Sequence, residues 1–329
     1  MLPDSARPEG RDLSTGPPPE FHIDVRLHAR ERFDLHLQRC LGWPSRTKVQ
    51  RLIRLGGALL NGARARAASR VGDGDRITVR MIVEGTHRDA DETTPLPPPF
   101  WEDPYLLAVN KPPGRLVHPT GRTTAGTIIN EVHLRYAALT RCGTRPLAPR
   151  LCHRLDRDTS GVLLISKNEL GRRSLQEAFE RGEVRKEYLA VVEGTPELSF
   201  RIDLPVAVHL DRTRTKGNRL ATIGDDGKPS VTLVERLHAA GDYSVVLCRP
   251  LTGRQNQIRV HLAAVGHRIL GDVGYGSDAA QWQRRSPIPF PGRPLLHSAQ
   301  LRFQHPIWRT DTILRAAPAP DFGPFLPGQ

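Results

Sequence analysis

A strand buried on both faces, entered through a turn crowded with arginines, sets the terms on which this chain folds. Val162, Leu163, Leu164 and Ile165 form a continuous apolar run between Gly161 and Ser166-Lys167-Asn168, the pattern of a core strand. Immediately before it stand His153-Arg154-Leu155-Asp156-Arg157-Asp158-Thr159-Ser160-Gly161. The last four are turn chemistry, since Asp, Thr and Ser bond nearby backbone and glycine takes positive φ. Asp156 falls just outside that turn, between Arg154 and Arg157. Neighbouring guanidinium charge favours an ionised carboxylate, which suits a nucleophile or an electrostatic stabiliser and makes a poor general acid. These residues alone leave a second reading open, and ahead: an Asx-type turn with solvated arginines.

Further apolar runs recur at 105–109, 188–192, 231–234 and 243–247, with few helices of any length between the later ones. The expected fold class is therefore α+β, with a mixed, largely antiparallel central sheet. Thr93-Thr94-Pro95-Leu96-Pro97-Pro98-Pro99 closes a semi-rigid linker over 89–99. Ahead of it, 21–88 reads as a small α/β unit. Phe33, Leu37 and Leu41 repeat every four positions along one helix. Ser45 is a candidate N-cap for a second helix, with Val49, Leu52 and Ile53 inward and Lys48, Arg51 and Arg54 along another side. Ala58-Leu59-Leu60 before Asn61-Gly62 reads as a strand and tight turn, and 71–79 as a loop feeding another strand. The expected plan is a disordered tail 1–20, the small unit 21–88, the linker 89–99, a larger domain 100–316 and a tail 317–329.

Charge narrows the function. The formal net charge is +13, and 21–88 holds fourteen Lys and Arg against six Asp and Glu. A positive field raises encounter with polyanions, so nucleic acid is the expected partner, with Arg46, Lys48, Arg51 and Arg54 as candidate contacts. No apolar run approaches the roughly 18–20 residues of a spanning helix, and the N-terminus lacks a signal-peptide core. The expected location is the cytoplasm, away from membranes. Cys40, Cys142, Cys152 and Cys248 are widely separated, with no Cys-x-x-Cys pair, so neither a disulfide framework nor a metal site is expected. There is no Gly-x-Gly-x-x-Gly, Walker loop, His-Glu-x-x-His or Gly-x-Ser-x-Gly. Asp158-Thr159-Ser160-Gly161 has the letters of an aspartic-protease turn, but that chemistry needs two carboxylates sharing a proton, and no second such turn occurs.

Two resemblances join these readings. Arg32-Phe33-Asp34-Leu35-His36-Leu37, Ser45-Arg46-Thr47-Lys48-Val49-Gln50-Arg51-Leu52-Ile53, Gly57, Asn61-Gly62 and Gly72-Asp73-Gly74-Asp75 resemble the small RNA-binding domain named after ribosomal small-subunit protein S-four. His153 to Leu164 resembles the catalytic motif of the RluA-type pseudouridine synthases, which isomerise uridine in RNA. The similarity continues in order through Val109-Asn110-Lys111-Pro112-Pro113-Gly114, Lys186-Glu187-Tyr188-Leu189-Ala190, Leu251-Thr252-Gly253-Arg254-Gln255-Asn256-Gln257-Ile258-Arg259-Val260-His261, Leu270-Gly271-Asp272 and Leu296-His297-Ser298.

The resemblance implies the pseudouridine synthase fold, with Asp156 as catalytic carboxylate, Arg259 as its ion partner and Tyr188 stacking on uracil. It also implies RNA contacts at Arg154, Lys111 and Arg254, no cofactor and a monomer. Asn256 departs from the family, which usually has His there. The implied substrate is ribosomal RNA of the large subunit ahead of transfer RNA, because the added RNA-binding domain often accompanies that modification. A non-catalytic RNA-binding or assembly protein is the contrasting class, and intact Asp156, Tyr188 and Arg259 favour the enzyme.

Overall fold

A computed structural model describes residues 20–41, 46–54, 56–80, 97–119, 126–137, 149–210 and 219–327. Ser45, the tail up to residue 19 and most of the linker lie outside the described residues. Two compact units emerge: Met1–Pro95 with His118–Pro149, and Leu96–Val117 with Arg150–Gln329. This division groups 118–149 with the first unit.

The first unit contains β1 (Glu20–Asp24), β2 (Glu31–Arg32), α1 (Phe33–Leu41), α2 (Arg46–Arg54), β3 (Ala58–Leu60), β4 (Ala63–Arg64), β5 (Arg70–Val71), β6 (Arg76–Arg80) and α3 (Ile128–Ala137). Four strands form an antiparallel sheet in the order β1-β6-β3-β4. Asn61 and Gly62 take φ of 51° and 79° between β3 and β4, the two left-handed residues of the hairpin turn that Asn-Gly favours. Phe33 and Leu37 of α1 and Val49 and Ile53 of α2 meet Ala58, Val71 and Ile77 in one core. That burial, more than intrinsic propensity, holds two helices of this length in place.

The second unit contains β7 (Trp101–Glu102), β8 (Leu106–Lys111), β9 (Arg150–Leu151), β10 (Ser160–Ser166), α4 (Glu169–Glu180), β11 (Arg185–Glu193), β12 (Ser199–Asp203), β13 (Val206–Leu210) and β14 (Arg219–Ile223). It continues through β15 (Val231–Ala239), β16 (Tyr243–Pro250), α5 (Gln257–Ala264), α6 (Ala279–Arg285), β17 (Leu296–Gln304) and β18 (Asp311–Arg315). A ten-stranded sheet runs β12-β15-β16-β11-β17-β10-β8-β7, with β18 and β9 at its sides. Among the described strands only β10 and β17 pair in parallel. Val162, Leu163, Leu164 and Ile165 are fully buried in β10, as the apolar run requires, and each of the other four apolar runs overlaps a strand of the sheet.

β17 joins the two halves of this sheet. On one side Ser298 stands opposite Gly161 of β10, and on the other it stands opposite Tyr188 of β11, next to an irregularity at Glu187 and Tyr188. Gly161 has φ 113°, and a Cβ there would lie 2.2 Å from the Ser298 carbonyl oxygen, so no other residue fits this crossing. The segment beyond 316, expected as a tail, packs onto the unit: Phe322 and Phe325 of a 3₁₀ turn at Pro320–Phe325 join Val191, Leu270, Trp282 and Leu295 in a core cluster. Prolines and glycines masked a segment whose two aromatic side chains bury it.

Candidate active site

The loop ahead of β10 is fixed residue by residue. The Thr159 N–H donates to the Asp156 carbonyl at 3.3 Å, closing the turn. Arg293, paired through both ends of its guanidinium with Asp321 at 2.6 and 2.7 Å, also donates to the Asp158 carbonyl at 2.9 Å. Arg157 Nε donates to the Gly114 carbonyl at 2.9 Å. His153 accepts from the Leu164 N–H at 2.9 Å and stacks on Phe179. Burial pushes the His153 ring down to about 3, so it is a neutral structural acceptor at physiological pH.

Lys111 is the principal correction among the expected RNA contacts. It is fully buried, and its Nζ donates to the Pro112 carbonyl at 2.8 Å and the Arg157 carbonyl at 2.7 Å. Burial pushes its ammonium down to about 7, against the pull of Asp158. A side chain so enclosed braces the loop and reaches no phosphate. The sequence offered a lysine in a loop motif, and nothing in its spacing revealed the carbonyls it satisfies.

This scaffold presents Asp156 to the N-terminal turn of α5. Arg259 donates through Nε and Nη2 to both oxygens of the buried Asp272, at 2.7 and 2.8 Å, and its Nη1 reaches Asp156 Oδ2 at 3.5 Å. The guanidinium also lies over the Tyr275 ring, 4.9 Å from its centroid. Burial works against the Arg259 charge, but the Asp272 and Asp156 carboxylates hold its pKa above the ordinary value. Asp272, with no role assigned by sequence reasoning, is the anchor that orients Arg259. Its signal was the Leu270-Gly271-Asp272 turn: Gly271 has φ 84°, and a Cβ there would meet the Arg293 carbonyl at 2.0 Å.

The Asp156 carboxyl is recessed yet reachable, with 34% of its side-chain surface open. Burial raises its pKa, and the Asp272 charge adds to the rise, while Arg259 by charge and hydrogen bond and Arg154 by charge act the other way. The arginines thus favour the ionised carboxylate as their charge implies, while the opposing desolvation is set by tertiary enclosure and does not show in flanking charge. The Asn256 carboxamide touches both Asp156 oxygens, at 3.1 and 3.0 Å.

Tyr188 is partly buried on β11. Burial pushes its phenol up to about 12, the Asp156 charge adds to that, and the Ser298 hydroxyl opposes it. The structure thus brings Asp156, Arg259 and Tyr188, distant in sequence, to one site. Ser298 is fully buried beside it. Arg154 is exposed beside Asp156, and Arg254 is exposed with its guanidinium on the Pro229 carbonyl.

In the first unit Arg51 and Arg54 are exposed, while the Lys48 side chain lies outside the described residues. Arg46 is divided in its duties: its side chain is 45% exposed, but Nε pairs at 2.9 Å with the fully buried Asp34, alongside Arg32 and Gln50. These three donors hold the Asp34 carboxyl far below the usual carboxylate range despite its burial.

Among the described residues no cluster of His, Cys, Asp and Glu has an arrangement that could hold a metal ion. Cys40, Cys152 and Cys248 are free, and burial raises all three thiols. What remains is a recessed carboxylate, a fixed guanidinium and an aromatic face, converging where three segments of an α+β sheet meet. Such a site suits acid–base or nucleophilic chemistry on a planar, polar substrate.

The family model described as RNA pseudouridylate synthase matches residues 105–264, which include Asp156, Tyr188 and Arg259. A ribosomal large subunit pseudouridine synthase D of Xanthomonas campestris pv. campestris is 33% identical, over 89% of this chain and 87% of its own. A ribosomal large subunit pseudouridine synthase C of Yersinia pestis is 32% identical, over 84% of this chain and 85% of its own. Among solved structures, human RNA pseudouridylate synthase domain containing 1 matches with a TM-score of 0.51 and 28% identity, covering 69% of this chain and 83% of its own. The chain belongs to the RluA-type RNA pseudouridine synthases, isomerases that act on RNA.

Proposed function

We propose that this enzyme converts uridine to pseudouridine in large-subunit ribosomal RNA, with Asp156 as the catalytic carboxylate. The observation that carries the site assignment is the chain Asp272–Arg259–Asp156, in which a buried ion pair holds a cation against an accessible carboxylate. The relatives that bear ribosomal names support the substrate. The reaction breaks the bond from ribose C1′ to uracil N1, turns the base and joins C1′ to C5. The C5 proton leaves and N1 gains one, so the change is redox-neutral.

Asp156 serves either as nucleophile or as stabiliser of a sugar cation, and both roles need its ionised form. Recession removes water from the carboxylate while Arg259 keeps the negative charge favourable. Tyr188 stacks on the uracil. Its phenol, raised to about 12, remains protonated, so it acts through its ring and as a hydrogen-bond donor. A uridine inside folded RNA has to leave its stack, at a cost of a few kcal/mol, and Arg154 fills the gap it leaves.

In this reading 21–88 is the S-four-like RNA-binding domain, with Arg51 and Arg54 on phosphate, and 100–316 carries catalysis. The enzyme works in the cytoplasm as a monomer. Among the described residues no helix is long and apolar enough to cross a membrane.

The test is to delete the gene, map pseudouridine across all stable RNAs, and complement with wild type or Asp156→Ala. The expected result is loss of sites in large-subunit ribosomal RNA, restored by wild type alone. Loss confined to transfer RNA would reassign the substrate, and rescue by Asp156→Ala would remove the carboxylate from the chemistry.

A further inference from the structure

Asn256 occupies the N-cap of α5 with φ 51° and ψ 21°, in the left-handed region, and its side chain makes no capping bond. An N-cap asparagine ordinarily accepts from the free N–H groups of its own helix, so this carboxamide is turned to another use. One of its terminal atoms lies 3.1 and 3.0 Å from Asp156 Oδ1 and Oδ2, and the other lies 3.1 Å from the Tyr275 hydroxyl. An ionised carboxylate only accepts, so the amide nitrogen faces Asp156 and the oxygen faces Tyr275. The Tyr275 hydroxyl has one proton and two acceptors in reach, this oxygen and the Ala221 carbonyl at 3.1 Å. Donation to Asn256 avoids opposed lone pairs. It also secures two charge-assisted bonds on Asp156, which outweigh one neutral bond to a carbonyl.

We propose that Asn256 is a positioning residue that fixes the plane of the Asp156 carboxylate, an inference that rests on Asp156 being the catalytic carboxylate. Arg259 supplies the charge, but two of its nitrogens are committed to Asp272, and its contact with Asp156 is long at 3.5 Å. The short contacts come from the neutral amide, which orients the carboxylate without adding charge. Asn256 and Arg259 stand three positions apart at the start of α5, one turn of one face. The left-handed backbone restricts what can stand at 256. Asn, Asp and His adopt that region more readily than other residues with side chains, and of these only Asn and His can donate to an anion.

Full-length wild type is compared with Asn256→Gly, Asn256→Asp and Asn256→His, with Asp156→Asn as reference. The probe is total RNA from cells lacking the gene, labelled with tritium at uracil carbon 5. Single-turnover tritium release reports chemistry, and RNA affinity is measured separately. Glycine keeps the backbone and removes the amide, so the rate falls about ten- to a hundredfold with affinity unchanged. Aspartate keeps the shape but places a like charge on Asp156, so the loss is larger and the acid limb of the pH profile moves to higher pH. Histidine restores a donor and recovers the rate to within about tenfold, with an added ionisation near the ordinary imidazole value.

Wild-type turnover and an unshifted pH profile in Asn256→Gly, with Asp156→Asn inactive, overturn the positioning role and leave the catalytic assignment standing. Full activity of Asp156→Asn overturns that assignment instead. Should the glycine variant not fold, equal rates and profiles in the aspartate and histidine variants overturn the proposal.

Discussion

Single residues decide how sharply this site is held, and two of them carry tests. Gly161 combines φ 113° with a Cβ position 2.2 Å from the Ser298 oxygen. Gly161→Ala therefore lowers stability by about 3 kcal/mol or more, through backbone strain and overpacking together, read from urea denaturation. Lys111 gives a pH test. Its folded pKa is about 7 against an ordinary 10.5, so between those values the unfolded chain holds a proton that the folded one has released. Stability from this group rises with pH across that window, by at most about 1.4 kcal/mol per pH unit. Between pH 7.5 and 9.5 the wild type gains on Lys111→Met, and a constant difference in denaturation midpoint would refute the assignment. The turn and the core strand around Asp156 were legible in sequence, while its candidacy as the catalytic carboxylate came from the resemblance of the whole motif series. Its proton affinity and the enclosure of Lys111 were not legible, since both depend on what folds over them.

Secondary-structure elements were legible to the extent that their pattern was purely apolar. β8, β10, β11, β15 and β16 all coincide with apolar runs. β17 does not, because His297, Ser298, Gln300, Arg302 and Gln304 interrupt it. The polar residues at its start have partners across the sheet that no local pattern shows. His297 donates through Nε2 to the Ala316 carbonyl at 3.0 Å, which leaves Nδ1 to accept from Ser160 Oγ at 2.9 Å. In α5, Ile258 and Leu262 face the core, while Val265 is exposed just past the helix end at Ala264. The element that carries most core is β10, where Leu164 packs with Leu106, Leu175, Leu301 and Phe303. Leu164→Ala leaves a cavity and costs about 2–5 kcal/mol, measured by the same denaturation.

At the scale of the whole molecule, charge and covalent order tell different stories. The basic excess in 21–88 is plain in the sequence, but the return of 118–149 to the first unit is not, and it makes truncation at residue 88 a poor test of RNA binding. Replacing exposed Arg51 and Arg54 by Gln in the full chain is the better one. If each arginine meets a phosphate, affinity falls about equally for different RNAs, and the slope of log affinity against log salt shrinks by roughly 0.7–0.9 per contact. A filter-binding salt titration with an unchanged slope would count against phosphate contact at these positions.

β17 also sets a timetable. It pairs Ser298 with Gly161 and seats His297 against Ser160, 137 positions earlier in the chain. Contacts that close so long a loop form late. During synthesis Asp156, Tyr188 and Arg259 are all made before the strand that unites them. The nascent enzyme is therefore inert toward the RNA around it until its last long strand inserts. On refolding, activity should return in step with hydrogen-exchange protection of 296–304 rather than with the earlier gain of secondary structure.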